Sequence, residues 1–364
     1  MWTHSLRVAL LVGLVDALQN RQTSEAFAVE RESTTVCISL AAFEEPEYID
    51  LLLANIKAFT ESDTKVGLHL NALSTYEQER MEAWNSDRVV VTKTRAVVKH
   101  FKGGIMTAHI LNAWELEDRW PGKCGYYIIQ ASNMMWVRKG LEAIVRESRY
   151  SEMSTVDRVH AKSDYHGFYD YMRKGGRSLH GWSMPEGAFL PMKTVLSFGK
   201  MLKGYLASEK LTMDSVTDSR AYFEASWLQT YAVNFVDPHE LEDRPPVLCF
   251  RVCHGGTPDR NLDSIDMDDV LKVINNDDGY ENKYAVKRVA RDVKHPVTRY
   301  IASLSGFNPV TKIASLSGFS APMTNITIKM EFEGDRALLC SAAKRSGRLT
   351  AEENAELDCQ CNAF

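Results

Sequence analysis

The sequence predicts an α/β fold with a mostly parallel central sheet and helices on its faces. Three observations carry this. From Val36 onward, short β-rich runs alternate with helix-periodic stretches. The fourth run is almost continuously apolar, as expected of a strand buried on both faces. The strand–helix units follow one another so closely that successive strands should run parallel, with their crossover helices packed on the sheet.

The elements follow in order. Val36 to Leu40 (VCISL) reads as the first strand, and from Tyr48 the residues Leu51, Leu52, Ile56 and Phe59 share one side of a helix. Lys65 to Asn71 (KVGLHLN) and Arg88 to Thr92 (RVVVT) read as the second and third strands. Gly103-Gly104 opens a helix with Met106, Ile110 and Ala113 on one face. Gly125 to Ala131 (GYYIIQA) is the fourth strand, and Ser132 or Asn133 can cap a helix carrying Val137, Leu141 and Ile144. Residues 151–204 are rich in aromatic, glycine and basic residues and read as loops covering a site, whereas Leu262 to Arg299 is again helical in character. Ile301 to Phe307 (IASLSGF) recurs as Ile313 to Phe319, a local duplication and not a solenoid.

At 364 residues, 45% hydrophobic and 25% charged, the chain can bury a full core without staples. Its net charge of −5 argues against a nucleic-acid-binding surface, so any bound anion must be held by a local basic cluster. Arg7, the apolar run Val8 to Leu18 and Ala26-Phe27-Ala28 read as a cleavable signal over residues 1–28, with the floppy N-terminus of a cytosolic protein as the alternative. The run is shorter than the roughly 20 apolar residues of a membrane span, so membrane association is not expected beyond it. A main domain over 29–300 and a C-terminal extension over 301–364 complete the expected division. Of the seven cysteines, Cys37 and Cys124 read as buried thiols, and Cys340 with Cys359 or Cys361 as the more plausible disulfide. Asn325-Ile326-Thr327 is a glycosylation sequon.

In parallel sheets ligands bind beyond the carboxyl ends of the strands, which directs attention to Ser39, Asn71, Ser132 and Asn133. Taken singly, each reads more simply as a turn or cap residue. Glu224 heads a helical face formed by Trp227, Leu228 and Tyr231, where partial desolvation would raise its pKa and suit it to general-base work. A first-turn glutamate facing the helix dipole is the simpler reading. Lys283, Lys287, Arg288, Arg291, Lys294 and Arg299 form a basic run suited to a phosphate, or a solvated helix face. Asp266-Met267-Asp268 has the Asp-x-Asp form of a metal site, but acidic residues are also favoured at helix starts. P-loop, GxGxxG, HExxH and GxSxG motifs are all missing.

An ordered series of weak matches over residues 36–300 resembles the core-2/I-branching N-acetylglucosaminyltransferase family, which includes peptide O-xylosyltransferases. Val66 to Asn71 resembles its second strand ending in His-x-Asp, and Val97 to Ile105 its glycine turn. Tyr126 to Asn133 resembles its "DYFI-LSG-D" strand, and Glu186 to Phe189 its Gly-x-x-Trp-Phe segment. Phe223 to Thr230 resembles its "PDE-x-x-x-x-T" segment, and Tyr284 to Val289 its closing "FARKF" motif. The resemblance implies a GT-A-like nucleotide-sugar-binding fold and an inverting displacement without metal. The donor would be a UDP-sugar (N-acetylglucosamine or xylose) and the acceptor a hydroxyl on a glycan, protein or small glycoside, in the lumen of the Golgi or endoplasmic reticulum or outside the cell. No further cofactor is implied.

By this resemblance Glu224 is the base, Lys287 and Arg288 stabilise the departing diphosphate, and Arg251 is a further phosphate contact. Ile38 to Leu40 with Asn71 would face the uridine, and Ser132 and Asn133 the sugar. Asn71 stands where the family has Asp, Asn133 interrupts the Ser-Gly-x-Asp pattern, and the proline before the base is missing. Two alternatives stay open: a non-catalytic carbohydrate-binding relative, and a metal-dependent transferase using Asp266 and Asp268. The presence of both Glu224 and the basic run favours the enzyme.

Overall fold

Thr35–Ala42 forms strand β1, whose side chains alternate between two cores. Val36, Ile38 and Leu40 join one, and Cys37 joins the other. A computed structural model describes residues 33–98, 103–156, 166–217, 225–251 and 265–307. The chain divides between Ser33 and Thr34, and every element named below belongs to the second unit.

After β1 come α1 (Pro46–Phe59), β2 (Lys65–Leu70), α2 (Gln78–Trp84), β3 (Val89–Val91), α3 (Gly103–Arg119) and β4 (Cys124–Ala131). Then follow β5 (Met134–Trp136), α4 (Leu141–Ser148), β6 (Ser154–Val156), α5 (His166–Gly175), β7 (His180–Trp182) and β8 (Phe189–Pro191). The remainder is α6 (Met192–Ser208), α7 (Met213–Thr217), α8 (Trp227–Phe235), β9 (Cys249–Phe250), α9 (Met267–Asn275), β10 (Ala285–Lys287) and α10 (Pro296–Leu304).

The main sheet has the order β3-β2-β1-β4-β8. Its first four strands are parallel and β8 is antiparallel to β4. The fold is therefore mixed α/β, with a mostly parallel central sheet and helices on both faces. Pro46 sets the backbone angle at the start of α1, which buries Leu51, Leu52 and Ile56 on one face of the sheet. Each such side chain contributes about 1.5–3 kcal/mol when fully buried. Helix α3 covers the other face, and Gly67 lets it come close. A Cβ on Gly67 would lie 3.1 Å from Cβ of Asn112 and 3.2 Å from the Leu116 side chain.

Several expectations are corrected. Met134–Trp136 is a strand, not the start of a helix, because the Asn55 carboxamide fixes the Trp136 backbone from both sides, at 2.8 and 2.7 Å. The strand also pairs antiparallel with β10. Ser132 and Asn133 thus lie in a turn between two strands, and the helix begins only at Leu141, after Gly140 in the left-handed region. Residues 151–204 are not only loops: they contribute β6, β7, α5, the sheet strand β8 and most of the 17-residue α6. Within 262–299, β10 interrupts the helices. Cys37 and Cys124 are not thiols but a disulfide, their Cα atoms 5.6 Å apart on neighbouring strands. The proposed signal, the Asn325 sequon, Cys340, Cys359, Cys361 and the second copy of the duplicated segment lie outside the described residues.

Candidate functional site

The strand order reverses between β1 and β4: the chain leaves β1 toward β2 and β3, then returns to the other side. At such a switch point the crossovers diverge and leave a crevice beyond the strand ends. A cavity of about 400 Å³ lies there. The end of β1 supplies Ala41, Ala42 and Phe43, and the end of β2 supplies His69 and Asn71. The end of β4 supplies Ala131, Ser132 and Asn133. Helix α3 adds His109, and the later segments add Glu186, Lys287 and Arg291.

Four ionisable groups meet in two pairs. The Lys287 ammonium is bound to Oε1 of Glu186, with both side chains largely buried. Among the described residues, Oε2 of Glu186 is buried without a hydrogen-bond partner. Arg291 donates from Nε to Oε1 of Glu44 at 2.6 Å, and its guanidinium lies 5.0 Å from the centre of the Phe43 ring. Phe43 is 48% exposed, so the mouth of the cavity carries an aromatic surface open to a ligand.

Beneath this sits a neutral polar floor. Ser39 Oγ and His109 Nδ1 are 2.7 Å apart, Asn112 donates to Ser39 at 2.8 Å, and Thr92 donates to Asn112 at 2.6 Å. His69 Nε2 accepts from the Ala96 amide at 2.8 Å, so the neutral ring carries its proton on Nδ1. That Nδ1 is buried and has no partner among the described residues. Burial first, then the charge on Arg95, lowers the His69 pKa to about 4. Burial first, then His69, lowers that of His109 to about 3. Both rings are uncharged at neutral pH.

Of the residues singled out in the sequence, Asn71, Ser132, Asn133, Lys287 and Arg291 of the basic run come together here. The Asn71 carboxamide is already engaged: Nδ2 donates to Val98 O, and Oδ1 accepts from the amides of Leu73 and Val98. It shapes the wall. Asn133 ties the turn to the segment after β10, its carbonyl accepting from the amides of Arg288 and Val289. Ser132 Oγ lies 3.5 Å from Arg291 Nη2.

The others are placed elsewhere. Ile38 is buried in the core short of the strand end, so it does not line the cavity, and Ser39 belongs to the polar floor beneath it. Arg288 follows Lys287 at the end of a strand, where successive side chains point to opposite faces. Arg251 lines a second cavity and not this one, and Arg288 lines neither; its backbone sits at φ 75°. The basic run is no helix face, since its middle is β10 and the turns around it. Asp266 is the N-cap of α9, accepting from the Asp269 amide at 2.8 Å, and neither it nor Asp268 lines either cavity. Glu224 lies outside the described residues. Its neighbour Ala225 accepts from the Ser183 amide at 3.0 Å.

Sequence reasoning missed His109, Glu44 and Glu186 as site residues, and placed Arg291 only within the basic run. A signal existed for the histidine, since a polar ring on the face carrying Met106, Ile110 and Ala113 calls for a buried partner. No protein-family model matches the chain, and no characterised protein is similar enough to it to identify a family.

Proposed function

We propose that the protein is an inverting glycosyltransferase that moves a sugar from a UDP-sugar to a hydroxyl acceptor on a GT-A-like fold. The observation that carries this reading is the cavity at the β1–β4 switch point, with Lys287 and Arg291 brought to its edge from late in the chain. Nucleotides are commonly bound at that place in open α/β sheets. Exposed Phe43 offers a face for the uracil ring, and the two cations offer contacts for a diphosphate. The resemblance names Lys287 with Arg288. The geometry favours Lys287 with Arg291, because Arg288 does not line the cavity.

In the proposed step the acceptor hydroxyl gives its proton to Glu224 and attacks C1 of the donor sugar. The new C1–O bond forms as the bond from C1 to the β-phosphate oxygen breaks, and the electron pair leaves on UDP. Positive charge on the ring and negative charge on the leaving group both peak in the transition state. Fixed cations at the cavity edge are worth most at that moment. The Cys37–Cys124 bond supports a lumenal or extracellular setting, because such bonds persist in oxidising compartments. Among the described residues, no helix is long and apolar enough to cross a membrane.

One observation favours a second reading, a non-catalytic carbohydrate-binding protein: Lys287 and Arg291 each already hold a carboxylate. UDP release from UDP-N-acetylglucosamine and UDP-xylose, with mixed glycan and peptide acceptors, separates the two. Acceptor-dependent release supports the transferase. Glycan binding with neither UDP binding nor release overturns it in favour of the second reading.

A further inference from the structure

A second cavity, of about 320 Å³, begins where the first ends along the chain. Trp182, Ser183 and Met184 line it, immediately before Pro185 and Glu186 of the first. Two small sheets frame it. Ser154 and Trp182 are paired across β6 and β7. Arg251 follows β9, Lys283 precedes β10, and those two strands run parallel. Gly187, at φ 78°, allows the close packing: a Cβ there would lie 2.6 Å from the Cys249 amide nitrogen.

The charges in this cavity are arranged differently from those in the first. Among the described residues Arg251 forms no ion pair, and its Nε is buried without a hydrogen-bond partner. Lys283 donates one N–H to Val247 O at 2.8 Å, which fixes the ammonium and leaves two donors. Among the described residues of the lining, Glu152 is the sole carboxylate, against two cations. The balance is one positive charge. An isolated buried donor is costly, so a ligand acceptor at Arg251 gains what the protein has left unmade. The walls bring an indole, Trp182, and the ring of Phe250, itself held 4.8 Å from Tyr280. The volume lies at the small end of the roughly 300–1,000 Å³ found for ligand clefts.

We propose that this second cavity binds a sugar ring bearing a single carboxylate, with the carboxylate on Arg251 and Lys283, the ring against Trp182, and hydroxyls on Glu152 and Ser154. One carboxylate matches the net charge, whereas a dianionic phosphate ester exceeds it beside Glu152. The indole and the hydrogen-bonding groups suit a ring more than a small aliphatic acid. The inference stands on this cavity alone and does not depend on the transferase reading.

The test is calorimetric titration of the full chain with methyl β-glucuronide, methyl β-glucoside, glucose 1-phosphate and acetate. The uronide should bind about tenfold or more tightly than the neutral glycoside, as charge-assisted hydrogen bonds require, and tighter than the phosphate or acetate. Arg251→Met should remove that preference while leaving the weak neutral binding. Should Arg251→Met fail to fold, Glu152→Gln serves instead: it removes the one competing negative charge and should raise affinity for the phosphate ester relative to the uronide. Equal binding of uronide and glucoside, preference for the phosphate by the unmodified protein, or no binding of any probe overturns the proposal.

Discussion

Lys287 and Glu186 stand 101 residues apart in sequence and form an ion pair inside the candidate cavity, leaving the second oxygen of Glu186 buried and, among the described residues, without a hydrogen-bond partner. The pair neutralises the cation proposed to hold a diphosphate. Glu186→Gln should therefore have two opposed effects. Removing one partner of a buried pair costs roughly 3–5 kcal/mol when the other stays charged and unmatched, and the partial exposure of these side chains puts the loss at the lower end. The freed ammonium should meanwhile bind UDP more tightly. Thermal unfolding with and without UDP checks both: the variant melts lower alone, and UDP raises its midpoint further than that of the unmodified protein. An equal UDP shift in both proteins would mean that Glu186 does not compete for Lys287.

The pair of buried histidines predicts a pH profile for stability. Both folded-state pKa values are depressed, to about 4 for His69 and about 3 for His109, from an ordinary value of about 6.5. Between those values and 6.5 the unfolded chain binds more protons than the native one. Stability is thus full above about pH 6.5 and declines as pH falls, until about pH 4 for His69 and about pH 3 for His109. Each ring contributes on the order of 1.4 kcal/mol per pH unit well inside its window. Urea midpoints between pH 7 and pH 4 should fall steadily, and His69→Gln should flatten the slope. An unchanged slope in that variant would place the proton uptake elsewhere.

The disulfide joins the first and fourth strands across a sequence separation of 87. Closing a loop of that length restrains the unfolded chain, and losing such a bond typically costs about 2–5 kcal/mol. Cys37→Ser with Cys124→Ser should lower the unfolding free energy within that range. Both sulfurs sit in a packed interior, so some of the loss comes from burying hydroxyls without partners. Cys37→Ala with Cys124→Ala separates the two effects. Alkylation of both cysteines in the unreduced protein would show that the bond does not form.

The early strands were legible because their signal is local. β1, β2, β3 and β4 are apolar runs in which periodicity and burial coincide. β5 was not, because Met134–Trp136 is made a strand by Asn55 and β10, both distant in sequence. The same cause hid the cysteine pair, since spacing does not reveal which strands are neighbours. In the basic run the density of charge was legible, but its division was not. Lys287 faces the cavity and Arg288 does not, as alternation along a strand dictates, yet three residues of β10 leave too short a pattern to read. Glu44 and Arg291, 247 residues apart, meet only because the fold brings α10's approach back over the end of β1.

Glu224 carries the proposed proton transfer. Glu224→Gln keeps the size and hydrogen-bonding capacity of the side chain but cannot take a proton at neutral pH. Turnover should fall by roughly 10²–10⁴, the usual loss for a general base, while UDP binding is unchanged. Near-normal turnover in this variant would reduce Glu224 to a residue of the helix start.

The last prediction sets cations against a metal for the leaving diphosphate. Asp266 and Asp268 have the form of a metal motif, but Asp266 is engaged as the cap of α9 and both lie off the cavity lining. Among the described residues, no group of three or more His, Cys, Asp or Glu is placed to hold a metal. Asp266→Ala should therefore cost about 1 kcal/mol of stability, the usual value of a lost cap, with turnover spared. Lys287→Ala and Arg291→Ala should each weaken UDP binding and lower turnover, since charge-assisted hydrogen bonds contribute about 1.5–3 kcal/mol. Arg291→Lys should recover only part of the loss, because an ammonium lacks the planar fork. Arg288→Ala should be milder than either, which distinguishes the geometry from the resemblance that named Arg288. Turnover should also survive exhaustive EDTA treatment. Activity lost to EDTA and restored by manganese, with Asp266→Ala inactive though folded, would move the phosphate contacts from these cations to carboxylates.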